Sequence, residues 1–112
     1  MRIKLFLLCI GSLALSHFAV AQSKDQYHYL VDLTQVNNDK LLVELKPPAI
    51  TATEITFNLP KMIPGTYAIE DYGRFVSEFK ALDKKGKELP VEKAGTNSWK
   101  IKNANKLAKI TY

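Results

Sequence analysis

The feature that most constrains this chain is an alternation of apolar and polar side chains, two residues per repeat, that recurs from position 27 to position 112. A period of two sends successive side chains to opposite faces of an extended strand, so each run describes a strand with one face buried. Tyr27, Tyr29, Val31 and Leu33 alternate with His28 and Asp32, and Leu41, Val43 and Leu45 form a second run with Glu44 pointing the other way. Between them Asn37-Asn38-Asp39 tolerates left-handed backbone, so the two runs are expected to pair as a hairpin. Pro47-Pro48 ends the second run, and Pro60 ends a third built on Ile55, Phe57 and Leu59. A fourth strand is expected over residues 75–82, with Phe75, Ser77, Phe79 and Ala81 on one face. Asp83-Lys84-Lys85-Gly86 is a polar turn, and residues 88–93, interrupted by Pro90, return as an edge strand. Ala94-Gly95-Thr96-Asn97 turns into Ser98-Trp99-Lys100-Ile101, and a last strand starts near Leu107, with Ala108, Ile110 and Tyr112 suggesting a core face. No stretch sustains apolar spacing at 3.6 residues, so the pattern predicts an all-β, antiparallel β-sandwich-like domain.

The two ends of the chain bear on its context. Arg2 and Lys4 precede a nearly unbroken apolar run over residues 5–15, and Ala19-Val20-Ala21 places small residues where a signal peptidase accepts them. This layout predicts a signal peptide over 1–21, cleaved after Ala21, and a β-rich domain over 22–112. The apolar run is shorter than the roughly 20 residues a membrane-spanning helix needs. Cleavage removes Cys9, the only cysteine, so the mature chain forms no internal disulfide, which suits a periplasmic or extracellular protein of a Gram-negative-type bacterium. With Arg2 and Lys4 gone, 14 basic residues face 11 acidic ones, a net charge of +3. That is too mild to imply nucleic acid or, after cleavage, a membrane as partner. The lysines of residues 84–109 are spread singly and read as a solvated sheet face. Tyr112 falls inside an alternating run with no turn or polar tail, which predicts an incomplete sheet and a chain that is the front part of something longer.

Chemistry is sparse. After cleavage His28 is the one histidine, while a zinc site needs three or four converging ligands and a catalytic triad needs a placed histidine. Neither a His-Glu-x-x-His segment nor a glycine-rich phosphate loop is present, and no residue is assigned a catalytic or metal-binding role. The densest run of unusual residues is Leu59-Pro60-Lys61-Met62-Ile63-Pro64-Gly65-Thr66-Tyr67, followed by Ala68-Ile69-Glu70-Asp71-Tyr72-Gly73-Arg74-Phe75. Pro64-Gly65 places proline where φ near −65° is wanted and glycine where φ is positive, a type II turn. Read structurally, Asp71 or Glu70 pairs with Arg74 and the tyrosines pack a sheet corner. Read functionally, Pro64, Gly65, Tyr67, Asp71, Tyr72 and Arg74 form a rim that touches a ligand or a neighbouring domain.

Asn58-Leu59-Pro60, Pro64-Gly65-Thr66-Tyr67 with Ile69, and Asp71-Tyr72-Gly73-Arg74-Phe75-Val76 together resemble the N-terminal domain of the glycyl aminopeptidase family of zinc metallopeptidases. Further matches follow in order: Phe79-Lys80-Ala81-Leu82-Asp83 with Gly86 and Leu89-Pro90-Val91, then Asn97-Ser98-Trp99-Lys100-Ile101, then Ile110-Thr111-Tyr112, while Tyr29-Leu30-Val31-Asp32-Leu33 fits the opening. Two positions depart from the family pattern: Met62 stands where tryptophan is frequent, and Glu70, or a displaced Arg74, where arginine follows the Pro-Gly-x-Tyr stretch. The resemblance implies a β-sandwich-like domain ahead of a thermolysin-like catalytic domain, with a PDZ domain last. It also implies zinc and the catalytic glutamate in that second domain, which this chain does not contain.

The leading expectation is therefore a non-catalytic scaffold that packs against the catalytic domain of the same polypeptide and meets peptide substrate only through that parent. The alternative is a free-standing exported module that binds peptide or carbohydrate, with the tyrosines and Trp99 as stacking platforms.

Overall fold

A computed structural model describes residues 25–112. The expected signal peptide and its cleavage point lie outside the described residues.

Among the described residues seven strands form two antiparallel sheets. The first has the order β1 (His28–Val31), β2 (Val43–Lys46), β7 (Leu107–Thr111), β4 (Lys80–Asp83), and the second the order β3 (Glu54–Asn58), β6 (Ser98–Lys102), β5 (Val91–Gly95). The first two strands pair as expected, with His28 opposite Lys46 and Val31 opposite Val43. Between them Asn38 and Asp39 both take positive φ, and Asn37 and Lys40 exchange backbone hydrogen bonds of 3.2 and 3.0 Å. Two successive left-handed residues twist a tight turn the way the flanking strands twist, which is why Asn and Asp serve there.

Directly opposed residues in an antiparallel pair share a face, so the register defines the core. In the first sheet Leu45, Ile110 and Ala81 form one inward row. In the second, Ile55, Ile101 and Val91 form another, followed by Phe57, Trp99 and Lys93. Leu45, Ala81, Leu89, Ile101, Leu107 and Ile110 are buried between the layers, with Ile55, Phe57, Phe79, Val91 and Tyr112 packed around them. The opposite face of the second sheet is polar. There Lys100 lies 3.8 Å from Glu54, and Ser98 Oγ donates to Asn58 Oδ1 at 2.7 Å.

Three sequence expectations change. The strand expected over residues 75–82 exists only as Lys80–Asp83, because Tyr72–Phe75 closes a 3-10 turn and Glu78 takes a left-handed φ of 57°. Phe79 and Ala81 still point to the core, while Phe75 is exposed. Second, the apolar face of the opening run is not buried: Tyr29 is 59% exposed, and Tyr27, Val31 and Leu33 are exposed with it. The four-stranded sheet is one strand wider than its partner, and β1 is the strand left uncovered. Third, the last strand is not short of hydrogen bonds. It lies between β2 and β4, and Tyr112 and Val43 exchange N–H···O bonds of 3.1 and 2.8 Å.

Pro90 decides where the chain crosses between sheets. The return after the Asp83 turn starts as a hairpin partner of β4, with a bridge between Leu82 and Glu88 and the Leu89 N–H donating to Ala81 O at 2.8 Å. Pro90 has no N–H to continue that ladder, and its carbonyl instead accepts from Lys102 N–H at 3.0 Å, so Val91–Gly95 joins the second sheet as an edge strand. The turn itself is braced by Asp83, whose Oδ1 accepts from the N–H groups of Lys87 and Lys85 at 2.9 and 2.8 Å. The Lys87 amide is the main reason the Asp83 carboxyl is held below the usual carboxylate range.

Strand direction gives the domain two ends. Asn97 precedes β6 at one end, and Asn103 follows it at the other. Val43, Asn58 and Tyr112 lie at the Asn97 end, while Lys46, Glu54, Asp83 and Leu107 lie at the Asn103 end.

Truncating the fully buried Ile101 to alanine is expected to lower stability by about 2–5 kcal/mol in urea unfolding, whereas Leu33→Ser, on exposed backbone, is expected to stay within about 0.5 kcal/mol. Burial pushes the Tyr112 phenol above its usual 10.0, and Tyr29 adds a smaller push the same way. A raised folded value keeps its contribution intact below the unfolded pKa and loses it as pH rises from about 10. Spectrophotometric titration is expected to show one late-ionising tyrosine, absent in Tyr112→Phe.

Candidate functional site

The chain between β3 and β4 carries every site residue expected from the sequence. It leaves the second sheet at Leu59, whose N–H donates to Asn97 O at 2.9 Å. It then closes on itself. The carbonyl of Lys61 accepts from the N–H groups of both Glu70 and Asp71, at 2.8 and 2.9 Å, and the Tyr72 N–H donates to Pro60 O at 3.3 Å. Residues 61–71 are thus a compact loop with a closed neck, the form called an Ω-loop. At its tip Pro64-Gly65 makes the expected turn, with Gly65 at φ 96° and the Thr66 N–H donating to Ile63 O at 3.3 Å. The Thr66 hydroxyl donates to the same carbonyl at 2.9 Å.

Tyr67 stands out at that tip. It is 97% exposed and holds φ at 53°, a left-handed conformation that bulky residues rarely adopt. Met62, Ile63 and Ile69 are exposed beside it, so the loop ends in apolar side chains turned to solvent. Strain at an exposed aromatic persists only where the surroundings over-determine the backbone. Here the neck bonds and the Pro-Gly turn do so.

The base of the loop is anchored through one residue, Asn97, which the sequence offers as a turn residue and as part of a family-like stretch but not as a candidate for the site. Its side chain is 6% exposed. Asn97 Oδ1 accepts from the Gly73 N–H at 2.8 Å, Asn97 Nδ2 donates to Asp71 Oδ1 at 2.8 Å, and its carbonyl holds Leu59. Asp71 takes a left-handed φ of 48° to open the 3-10 turn Tyr72–Phe75. Gly73 is buried so tightly that a Cβ would collide with the Thr96 carbonyl and lie 2.6 Å from Asn97 Cα. Glycine is needed there for close approach, not for an unusual φ. Only a long-range partner 24 or 26 residues away reveals the role of Asn97, and no local pattern carries that information.

Of the two pairings open in the sequence, Arg74 takes Glu70, at 2.7 Å, and its guanidinium lies 4.5 Å from the Phe75 ring centroid. Both partners of this i,i+4 pair are solvated, so it adds little stability and chiefly orients Arg74 on the rim. Tyr72 packs toward Phe75 at 6.5 Å, and the two line a shallow groove with Leu59, Val43 and Tyr112. Pro64, Gly65 and Tyr67 therefore occupy the projecting tip, while Asp71, Tyr72 and Arg74 occupy the base. The six do not converge on one chamber.

Trp99 is not a platform. It is 3% exposed, stacked on Phe79 at 4.7 Å with planes 10° apart, and Lys93 Nζ lies 3.8 Å from its ring centroid. Among the described residues no three His, Cys, Asp or Glu side chains are grouped to hold a metal, so the zinc implied by the family resemblance has no fitting donor set here.

Two antiparallel layers with one braced loop between them define a small β-sandwich module. The family model for the Peptidase M61 N-terminal domain matches residues 28–112, most of the chain. The chain belongs to that family, and its β-rich part is the N-terminal module of a peptidase. No curated protein and no solved structure matches it.

Asn97→Ala strands the buried Gly73 N–H and removes the Asp71 contact, and is expected to cost about 1–3 kcal/mol in denaturant unfolding. Hydrogen exchange is expected to quicken first at Glu70, Asp71 and Gly73, ahead of Ile101 and Ile110.

Proposed function

We propose that this chain is the non-catalytic N-terminal module of an exported zinc aminopeptidase of the glycyl aminopeptidase kind. Its role is to pack against a catalytic domain of the same polypeptide and to flank that domain's cleft with the 61–71 loop. The zinc, the catalytic glutamate and any PDZ domain belong to that parent rather than to this chain. A periplasmic or extracellular setting accords with the signal-like start of the sequence.

The observation that carries the reading is the loop itself, in a chain whose family is that of a peptidase N-terminal domain. A solvated loop tip is ordinarily polar, but this one presents Met62, Ile63, Tyr67 and Ile69 on backbone fixed at both neck and base. Preorganised apolar groups on a rigid support lose little conformational freedom when they meet a partner. Arg74, held at the rim by Glu70, supplies a cation beside them for a carboxylate of the neighbouring domain or of a bound peptide. The alternative, a free-standing module that binds peptide or carbohydrate, loses one of its stacking platforms with the burial of Trp99.

The purified protein incubated with zinc is expected to release no N-terminal glycine or alanine from peptide substrates above a metal-only blank. Turnover would place a catalytic centre in this chain and end the scaffold reading. In the parent, Tyr67→Ala is expected to lower peptidase efficiency while leaving zinc content unchanged. An unaltered efficiency would remove the loop from the cleft.

A further inference from the structure

The Asn103 end of the sandwich, opposite the 61–71 loop, gathers lysines that are scattered in sequence. Lys84, Lys85 and Lys87 come from the turn after β4, and Lys106 from the short 3-10 turn Ala104–Lys106 that leads into β7. All four line one open concavity with Asn105, and all four are exposed. Lys46 and Lys102 end their strands at the same end.

Among the described residues four of the cations elsewhere in the domain have a carboxylate partner, while Lys40, Lys61 and Lys93 have none within ion-pair distance. Lys80, Lys100, Lys109 and Arg74 each lie within ion-pair distance of a glutamate. Among the described residues none of Lys84, Lys85, Lys87 or Lys106 has a carboxylate within that distance. The one acid lining the concavity, Asp83, accepts through Oδ1 from the backbone N–H groups of Lys85 and Lys87, which fixes the turn, and its charge offsets part of the positive charge of those two lysines. Four exposed lysines brought to one end by two separate loops, with one carboxylate among them, leave a local excess of positive charge that an anionic surface would meet. The mild net charge of the chain conceals this asymmetry.

We infer that the Lys84–Lys85–Lys87–Lys106 end docks on the anionic headgroups of a phospholipid bilayer. The partner is a surface because the concavity is open and its four lysines are all exposed, which suits many headgroups rather than one enclosed anion. Each lysine near such a surface adds attraction of about 1 kcal/mol, lost on screening by salt. Strand direction then orients the domain. The loop with Tyr67 lies beyond the opposite end of β6, about 17 Å away for five extended residues, and faces away from the bilayer. The inference does not depend on the peptidase reading, since it concerns the other end of the domain.

Sedimentation with vesicles tests it, using one part phosphatidylglycerol to two parts phosphatidylcholine, beside vesicles of phosphatidylcholine alone. Binding is expected only to the anionic vesicles at low ionic strength, and is expected to vanish in high salt. Lys84→Glu/Lys106→Glu is expected to weaken it by about tenfold or more. Lys40→Glu/Lys61→Glu, which changes net charge equally at the other end, is expected to retain most of it, and circular dichroism is expected to show both variants folded. Equal loss in the two double variants, equal binding to both vesicle types, or no binding would overturn the inference. So would displacement by millimolar inorganic phosphate, which marks a discrete anion site. Lysine-dependent binding to a soluble anionic polysaccharide without vesicle binding would overturn it in favour of a glycan partner.

Discussion

The two sheets of this domain are joined by packing rather than by ladder hydrogen bonds, and the joint is aromatic. Phe57 lies 5.5 Å from Phe79, 6.1 Å from Trp99 and 5.9 Å from Tyr112, and Phe79 stacks on both of the latter. Phe57 and Trp99 belong to the three-stranded sheet, and Tyr112 follows the central strand of the other. Rings of this size bury large apolar areas and lock their mutual angle through edge and face contacts. The cluster sits at the Asn97 end, where the 61–71 loop emerges. Aliphatic packing of Leu45, Ala81, Ile101 and Ile110 continues the joint toward the other end.

The hydrogen bonds that tie the loop to this end are what hold its strained backbone. The neck at Lys61 O and the Asn97 side chain bind the loop at two levels, and the second reaches it from a hairpin tip in the other half of the chain. The stretches Asp71-Tyr72-Gly73 and Asn97-Ser98-Trp99, read separately as family motifs, are in three dimensions one unit. Asn97 caps it, Gly73 admits the close approach, and Trp99 roots it in the core. The result is a projecting apolar tip on an immobilised base, at the opposite end from an unpaired basic surface. A module built this way has two differently suited faces.

Legibility followed the range of the interactions. All seven strands of the described residues are visible as alternation or as breaks at proline, one of them with its start placed too early. The two-residue turn at Asn38-Asp39 and the Pro64-Gly65 turn were visible because a local φ requirement selects the residue. The strand expected over residues 75–82 is shorter than its alternation because the part over 75–79 belongs to a turn and an irregular connection. Phe75 sits on the 3-10 turn, and Glu78 takes left-handed φ that no spacing rule anticipates. Tyr29, Val31 and Leu33 alternate as core residues do, yet remain exposed because burial of an edge strand depends on how wide the facing sheet is.

The sequence by itself determined the class of fold, the positions where strands end, the turn chemistry and the loop worth watching. All of these follow from side-chain period and from the backbone limits of proline, glycine and asparagine. Only the tertiary structure decided that Asn97 holds the loop, that Glu70 rather than Asp71 takes Arg74, that Trp99 is enclosed, and that four lysines share one end. These depend on contacts between segments tens of residues apart, and such contacts exist only once strand order and register have brought the segments together.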